Sequence, residues 1–166
     1  MSLGRYFEDF NVGDVYRHPL GRTISEADNT WFTLLTMNTN QMHFNAHYAE
    51  RSTFGRLLVN SGLTVAIVLG MSVIDTSQNA LANLGWSDIR LSHPVFVGDT
   101  LYAESKVLDK RESASRDYAG IVSILTRGLN QDGDVVMTYR RSFMVYRRDA
   151  PQDKDLFPAA REEWPQ

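Results

Sequence analysis

An uncharged segment of 18 residues, Leu57–Ile74, constrains the fold of this chain more than any other feature. Its length approaches the roughly 20 apolar residues that a membrane-spanning helix needs. Polar and small residues interrupt it, however, and the sequence contains no second segment of this kind. A helix that is apolar on nearly all sides is otherwise buried inside a folded domain. The segment therefore predicts one fully buried helix that begins near Asn60 or Ser61, because both residue types are favoured at the N-cap.

Small residues recur along one face of this helix. Gly62, Ala66 and Gly70 are spaced four residues apart, so they share a face. Small side chains allow close approach of a neighbouring element, and we expect this face to pack against a sheet. Two tryptophans, Trp31 and Trp86, are expected in the core or in the wall of a pocket.

Strand patterns flank the apolar helix on both sides. Upstream, residues 14–24 read as short strands broken by a proline and a glycine, and Ser25 then opens a helix with a capping-box pattern that runs to about Met37. Alternating apolar residues downstream predict four strands, at 82–91, 100–108, 119–129 and 135–146. A tight hairpin is expected at Asp132-Gly133, since Asp-Gly supplies the positive φ values that such turns require.

The order of these elements indicates the fold class. One apolar helix followed by a run of strands is typical of an α+β fold with an antiparallel sheet. A helix that is apolar on all sides requires the sheet to wrap around it, which describes a hot-dog fold. One such unit leaves a sheet edge exposed, and a second copy would cover it. We therefore expect a homodimer or a higher homo-oligomer.

The domain organisation follows from the same patterns. Residues 1–148 are expected to form a single hot-dog domain, and residues 149–166 an extended C-terminal tail that carries three of the five prolines. Phe157 and Trp164 suggest that this tail lies on a surface of the domain or of a partner subunit.

Composition excludes several classes of protein. The chain has 166 residues and no cysteine, which excludes disulfides, thiolate metal sites and a cysteine nucleophile and suits a reducing compartment. The formal net charge is −3 and the pI is about 5.8, so no basic surface for nucleic acid is expected. The first residues lack the basic and apolar pattern of a signal peptide. We expect a cytoplasmic protein with neither a nucleic-acid nor a membrane partner.

The densest group of reactive side chains lies in a polar loop at residues 38–47, between two predicted helices. His43 is a candidate acid and base because an imidazole titrates near pH 6.5. Asn38 and Asn40 could orient a water molecule or a substrate carbonyl, and Phe44 is expected in the core or in a pocket wall. A purely structural interpretation stays open, since asparagine side chains also tie down helix ends.

A metal site is not favoured in this loop. His43 and His47 are four residues apart and Glu50 follows, but the intervening residues lack the Glu of the zinc-protease helix motif. The loop character of the segment also spoils the geometry. We therefore expect no metal.

Several segments of the chain resemble a known family. Residues 36–44, Thr-Met-Asn-Thr-Asn-Gln-Met-His-Phe, resemble the Gly-Asp-x-Asn-Pro-x-His signature of MaoC-like, (R)-specific enoyl-CoA hydratases. Residues 54–56 and 59–63 resemble the segment that enters the central helix, and residues 93–101 match the Pro-Val-x-x-Gly-Asp-Thr-Leu turn. The resemblance covers about residues 13–145. It is strongest to the branch that acts on mesaconyl-CoA and β-methylmalyl-CoA.

The resemblance implies roles for individual residues. In the family, an Asp and a His five residues apart share the proton transfers, and a backbone N–H near the central helix polarises the thioester. Asn38 and His43 stand at these two positions and are the implied catalytic pair. The implied substrate-binding residues are Asn40, Phe44, Asn60, Ser61 and Gly62. The helix start at the last two offers free backbone N–H groups and a favourable dipole.

Two departures from the family signature leave the mechanism open. Asn38 replaces the Asp and Gln41 replaces the Pro. An asparagine cannot accept a proton at neutral pH and can only orient the water. His43 could act alone, a carboxylate such as Asp28 could supply the base, or the site could bind thioesters without hydrating them.

The resemblance therefore implies an acyl-CoA partner and a hydratase or dehydratase that needs no cofactor. Its substrate would be a short enoyl-CoA thioester, with branched dicarboxylic acyl groups as candidates. Two alternatives stay open at this point, a hot-dog acyl-CoA thioesterase and a non-catalytic acyl-CoA-binding subunit.

Overall fold

The computed structural model describes residues 4–151 and 158–164 of the chain. The three helices are α1 Glu26–Leu35, α2 Ala46–Ala49 and α3 Ser61–Thr76. The six strands are β1 Val15–Arg17, β2 Arg22–Thr23, β3 Ala80–Leu91, β4 Thr100–Glu112, β5 Ala119–Leu129 and β6 Val135–Tyr146. The predicted helices and strands are confirmed, with α1 two residues shorter and β4 four residues longer than predicted.

All strands pair antiparallel in one curved layer. The order along the sheet is β1-β4-β5-β6-β3, with β2 paired to the end of β4. The strands β4, β5 and β6 are consecutive in the chain and pair over almost their full lengths. Within the described part of the chain, β3 pairs with β6 alone and forms one edge of the sheet.

Helix α3 packs on the inner face of this sheet, but it is not fully buried as predicted, because one of its faces is exposed in the single chain. Asn60 caps it, and its side chain accepts a hydrogen bond from the Gly62 N–H at 2.9 Å. Val68, in the middle of the helix, is fully buried. The core cluster around it contains Ile24, Val59, Leu63, Val95, Leu101, Ala103, Val136, Met137 and Tyr139. Among residues 4–151 and 158–164, no helix is long and apolar enough to span a membrane.

The face of α3 that carries the small residues does not pack against the sheet, so that prediction is wrong. Gly62, Ala66, Gly70 and Ile74 are all exposed. A Cβ atom added to Gly70 would meet nothing within 4 Å. The sheet contacts the opposite face of the helix, where the buried residues are Leu63, Thr64, Val68, Ser72 and Thr76.

Large apolar side chains are exposed at the β3 edge and on α1. Leu84, Trp86, Ile89 and Leu91 of β3 are each about half exposed. Trp31 of α1 is 67% exposed. The expectation that both tryptophans lie in the core or in a pocket wall is therefore not met in the single chain. The buried positions of α1 are polar instead.

A partly buried polar cluster ties the far end of α3 to the sheet. Asp75 accepts hydrogen bonds from Arg5 Nη1 at 2.8 Å and from His18 Nδ1 at 2.9 Å. The other ring nitrogen of His18 is 2.9 Å from the Ser105 hydroxyl. Burial alone would raise the pKa of Asp75, but the hydrogen bonds and charges of His18 and Arg5 outweigh it, and the pKa is lowered. This carboxylate therefore stabilises the fold in its ionised form.

The C-terminal segment is described only in part. Phe157 lies outside the described residues, and Trp164 is 94% exposed. The division into a domain at 1–148 and a tail at 149–166 stays a prediction.

Candidate active site

The polar loop begins where α1 ends. Met37 adopts a positive φ of 59°, which stops the helix, and the Asn38 N–H then bonds to the Thr33 carbonyl at 3.0 Å. The side chains of Asn38 and Asn40 then each accept a hydrogen bond from the backbone two residues further on. Asn38 Oδ1 accepts from the Asn40 N–H at 2.9 Å, and Asn40 Oδ1 accepts from the Met42 N–H at 3.1 Å. These Asx turns start the single 3₁₀ turn that carries His43.

His43 is buried and its ring is oriented by a backbone carbonyl. Its Nδ1 lies 2.9 Å from the Leu58 oxygen, and the residue is 92% buried. A carbonyl oxygen can only accept, so Nδ1 must carry the proton. The neutral ring therefore keeps the lone pair on Nε2, which makes Nε2 the atom that can take a proton. The hydrogen bond thus makes Nε2, and not Nδ1, the nitrogen that can act as a base.

One asparagine that the sequence analysis did not select lies behind this loop. Asn29 of α1 is fully buried. Its Nδ2 donates to the carbonyls of His43 at 2.7 Å and of Leu58 at 3.0 Å, and its Oδ1 accepts from the Asn60 N–H at 2.8 Å. Thr33, one turn later and equally buried, accepts from Asn60 Nδ2 at 3.2 Å. In the sequence, this cluster is visible as two polar residues four positions apart on α1, Asn29 and Thr33. They do not stand out there, because the apolar residues around them dominate the helical pattern.

The start of α3 differs in detail from the prediction. The Gly62 N–H, expected to be free for a thioester carbonyl, already bonds to Asn60 Oδ1. An N-cap side chain accepts from the backbone N–H of the second or third helical residue, and Gly62 is the second residue of α3. Ser61 contributes to a cleft in front of the helix, so the helix start still faces a space that a ligand can enter.

That cleft has a volume of about 290 Å³. It lies between the start of α3 and the segment before β4, which are joined by the Val59 N–H to Val95 O hydrogen bond at 2.8 Å. Its lining is Phe54, Leu58, Val59, Ser61, Thr64, Leu91, Ser92, His93, Pro94 and Val95. Leu58 links the cleft to His43, because its carbonyl holds the imidazole. Phe44 is half-buried and does not line this cleft.

Asp28 belongs to the capping box of α1. It accepts from the Ser25 N–H and hydroxyl and from Arg22, so both carboxylate oxygens are engaged in the cap of α1. The Ser25 side chain first, and then the Ser25 backbone and Arg22, lower the pKa of Asp28. A carboxylate held in this way is a weak base, which disfavours the reading in which Asp28 replaces the missing Asp.

Comparison with known proteins identifies the family. The profile of the family described as mesaconyl-CoA hydratase matches residues 1–157. The chain belongs to the mesaconyl-CoA hydratase family. The "Mesaconyl-CoA hydratase" of Cereibacter sphaeroides is 37% identical over 148 residues, which are 89% of this chain and 43% of the relative. The "Beta-methylmalyl-CoA dehydratase" of Chloroflexus aurantiacus is 36% identical over 157 residues, or 93% of this chain and 44% of the relative.

Solved structures confirm the hot-dog fold. A protein described as a putative MaoC domain dehydratase from Chloroflexus aurantiacus superposes with a TM-score of 0.83 at 35% identity, over 94% of this chain and 45% of that one. A further structural neighbour, from Mycobacterium tuberculosis, is described as having a double hot-dog fold. The chain spans about half the length of the curated relatives that it matches.

Proposed function

We propose that this protein is a hydratase or dehydratase that adds water to, or removes it from, a methyl-branched dicarboxylic enoyl-CoA thioester. The observation that carries the proposal is the orientation of His43. A buried imidazole with its proton fixed on Nδ1 presents Nε2 as a base, in a chain that belongs to this family. The names of the relatives supply the substrate class, mesaconyl-CoA and its hydrated form.

The chemistry uses His43 twice. Nε2 takes a proton from water, and the water oxygen bonds to the β-carbon of the thioester while the double-bond electrons move to form an enolate. The imidazolium then returns the proton to the α-carbon, which completes the addition and restores neutral His43. Dehydration is the same sequence in reverse.

Two other groups have supporting roles in the proposal. Asn38, whose Oδ1 is held by the Asn40 N–H, is the group that orients the water. The positive end of the α3 dipole, at Ser61, stabilises the negative charge that develops on the thioester oxygen.

A cation beside the cleft suits an anionic substrate. The guanidinium of Arg56 lies 3.7 Å from the ring centre of Phe96, which pairs with Leu58 of the cleft. Within residues 4–151 and 158–164, Arg56 forms no hydrogen bond or ion pair. Its N–H donors are thus available for coenzyme A phosphates or for the acyl carboxylate.

We also propose that the protein functions as a homodimer or a higher homo-oligomer in the cytoplasm. The open β3 edge carries exposed apolar side chains that a second copy would cover, and the exposed small-residue face of α3 is a further candidate for such a contact. The absence of cysteine suits a reducing compartment.

Sedimentation tests the assembly. Ile89→Lys on β3 should shift the protein to an 18.9 kDa monomer, whereas Val12→Lys, at a position that is also exposed but lies outside β3, should not. A wild-type protein that sediments only as the monomer at micromolar concentration would contradict the proposal.

A turnover assay tests the activity. Purified protein is mixed with mesaconyl-CoA, straight-chain enoyl-CoA and a saturated acyl-CoA, and both the absorbance of the conjugated thioester and the release of free thiol are followed. We expect loss of the conjugated absorbance with mesaconyl-CoA and no thiol. Thiol release would indicate a thioesterase, and binding without turnover would indicate a non-catalytic subunit. Either outcome rejects the hydratase.

A further inference from the structure

Asn29 joins three parts of the candidate site through one side-chain amide. The carbonyl of His43 and the carbonyl of Leu58 receive its two N–H groups, and the N–H of Asn60 reaches its oxygen. These contacts connect the catalytic loop, the segment that enters α3 and the N-cap of α3. The Asn29 side chain and its hydrogen bonds to His43 and Asn60 are buried, and the bond to Leu58 is partly buried. Loss of the Asn29 amide would therefore leave buried polar groups without a partner.

The Leu58 carbonyl has a special position among these groups. It accepts from Asn29 Nδ2 at 3.0 Å and from His43 Nδ1 at 2.9 Å. The same oxygen therefore fixes the tautomer and the direction of the imidazole, and Asn29 fixes the oxygen. Asn29 holds the backbone of His43 as well, so both ends of the histidine are set from one residue.

We propose that Asn29 is the positioning residue of the reaction, setting the orientation of His43 relative to the start of α3. This inference rests on the proposed hydratase function. Asn29 is fully buried behind the loop and acts through His43. A displacement of the reacting groups by about 1 Å can cost on the order of 100-fold in rate. Loss of Asn29 should thus lower kcat while leaving thioester affinity nearly intact.

Two substitutions separate the contacts. Asn29→Asp keeps the oxygen that accepts from Asn60 but turns a second oxygen toward two carbonyls, and Asn29→Ala removes every contact. Thr76→Val is the control, because Thr76 is equally buried and loses one hydrogen bond at the far end of α3. We expect kcat for mesaconyl-CoA to fall about 10- to 100-fold in both Asn29 variants, with KM within about threefold. Thr76→Val should keep the wild-type kcat.

A spectroscopic measurement makes the test independent of turnover. Nitrogen chemical shifts of the His43 ring should show the Nδ1–H tautomer in the wild-type protein and a mixture of tautomers in the Asn29 variants. If Asn29→Ala does not fold, Asn29→Ser takes its place. Wild-type His43 protonated on Nε2, or an Asn29→Asp enzyme with full kcat, would overturn the proposal.

The two proposals fail in different ways. If His43→Ala leaves hydration intact, the hydratase mechanism is wrong. If His43→Ala abolishes hydration while the Asn29 variants match Thr76→Val in kcat, only the positioning role is wrong.

Discussion

Replacing His43 by asparagine separates its two functions. An asparagine amide can donate to the Leu58 carbonyl in place of Nδ1, but it has no counterpart of Nε2. His43→Ala removes both functions. If Nε2 transfers the protons, both variants should lose two or more decades of kcat, the range expected for a single acid–base group.

The structure also sets the expected effect on stability. In His43→Ala the Leu58 carbonyl keeps its hydrogen bond from Asn29, so no buried acceptor is left empty. The lost hydrogen bond should cost about 1 kcal/mol and the lost packing about 1–2 kcal/mol more. This corresponds to a fall in Tm of roughly 5–10 °C. His43→Asn should lose about half as much, because it keeps the hydrogen bond.

The assay follows the absorbance of mesaconyl-CoA, and thermal denaturation is measured on the same samples. His47→Ala is the matched control, since His47 is exposed and the side-chain hydrogen bond that it makes within the described residues is with Arg51. It should stay within a few-fold of wild type. Equal losses of kcat in His43→Ala and His47→Ala, or a His43→Asn enzyme with kcat within tenfold of wild type, would refute the assignment of proton transfer to His43. A chelator titration would then distinguish a metal site from a structural role.

Two further substitutions test other parts of the structure. Asn38→Asp should keep or raise hydratase activity in the same assay, because an Asp oxygen can still accept from the Asn40 N–H while the new carboxylate can act as a base. Unchanged Tm with abolished activity would show that a neutral amide is needed. Asp75→Ala should lower the free energy of unfolding by about 2–3 kcal/mol at pH 7, as it removes two hydrogen bonds that a carboxylate receives from Arg5 and His18. Since the pKa of Asp75 is lowered in the folded protein, this stabilisation is complete above pH about 3.9 and is lost as the pH falls through the folded-state value. Urea titrations at several pH values should therefore show the difference between the two proteins closing in acid, and a difference that persists there would contradict this account.

The sequence predicts elements well where apolar periodicity is strong. The long strands and α3 follow from alternation and from the uncharged segment, and their observed bounds agree to within a few residues. The capping box at Ser25 also forms as predicted. These features depend on local chemistry, which a single sequence displays directly.

Features that depend on tertiary contacts were not predictable in the same way. Local pattern does not mark the face of α3 that meets the sheet, because its buried residues include Thr64, Ser72 and Thr76, which are no more apolar than the face that carries Gly70. Asn29 reads as an ordinary helical polar residue until the fold brings His43, Leu58 and Asn60 around it. The hydrogen bond from the Gly62 N–H to the Asn60 side chain was not predictable either, because the sequence does not show which helical N–H the N-cap side chain will accept from.

The way the catalytic loop is attached has a consequence for the order in which the protein opens. Strands β4, β5 and β6 form a continuous meander of backbone hydrogen bonds. The backbone bonds of the loop are mostly to residues within five positions, and the bond from the Leu58 N–H to the Met42 carbonyl is 3.3 Å long. Side-chain hydrogen bonds from Asn29 and His43 supply much of its attachment to the rest of the domain. Segments with few backbone partners open at lower free energy than the core. We expect the amides of residues 38–45 to exchange with deuterium well before those of β5. Denaturant should accordingly abolish turnover at concentrations that leave the sheet, and its circular dichroism, intact.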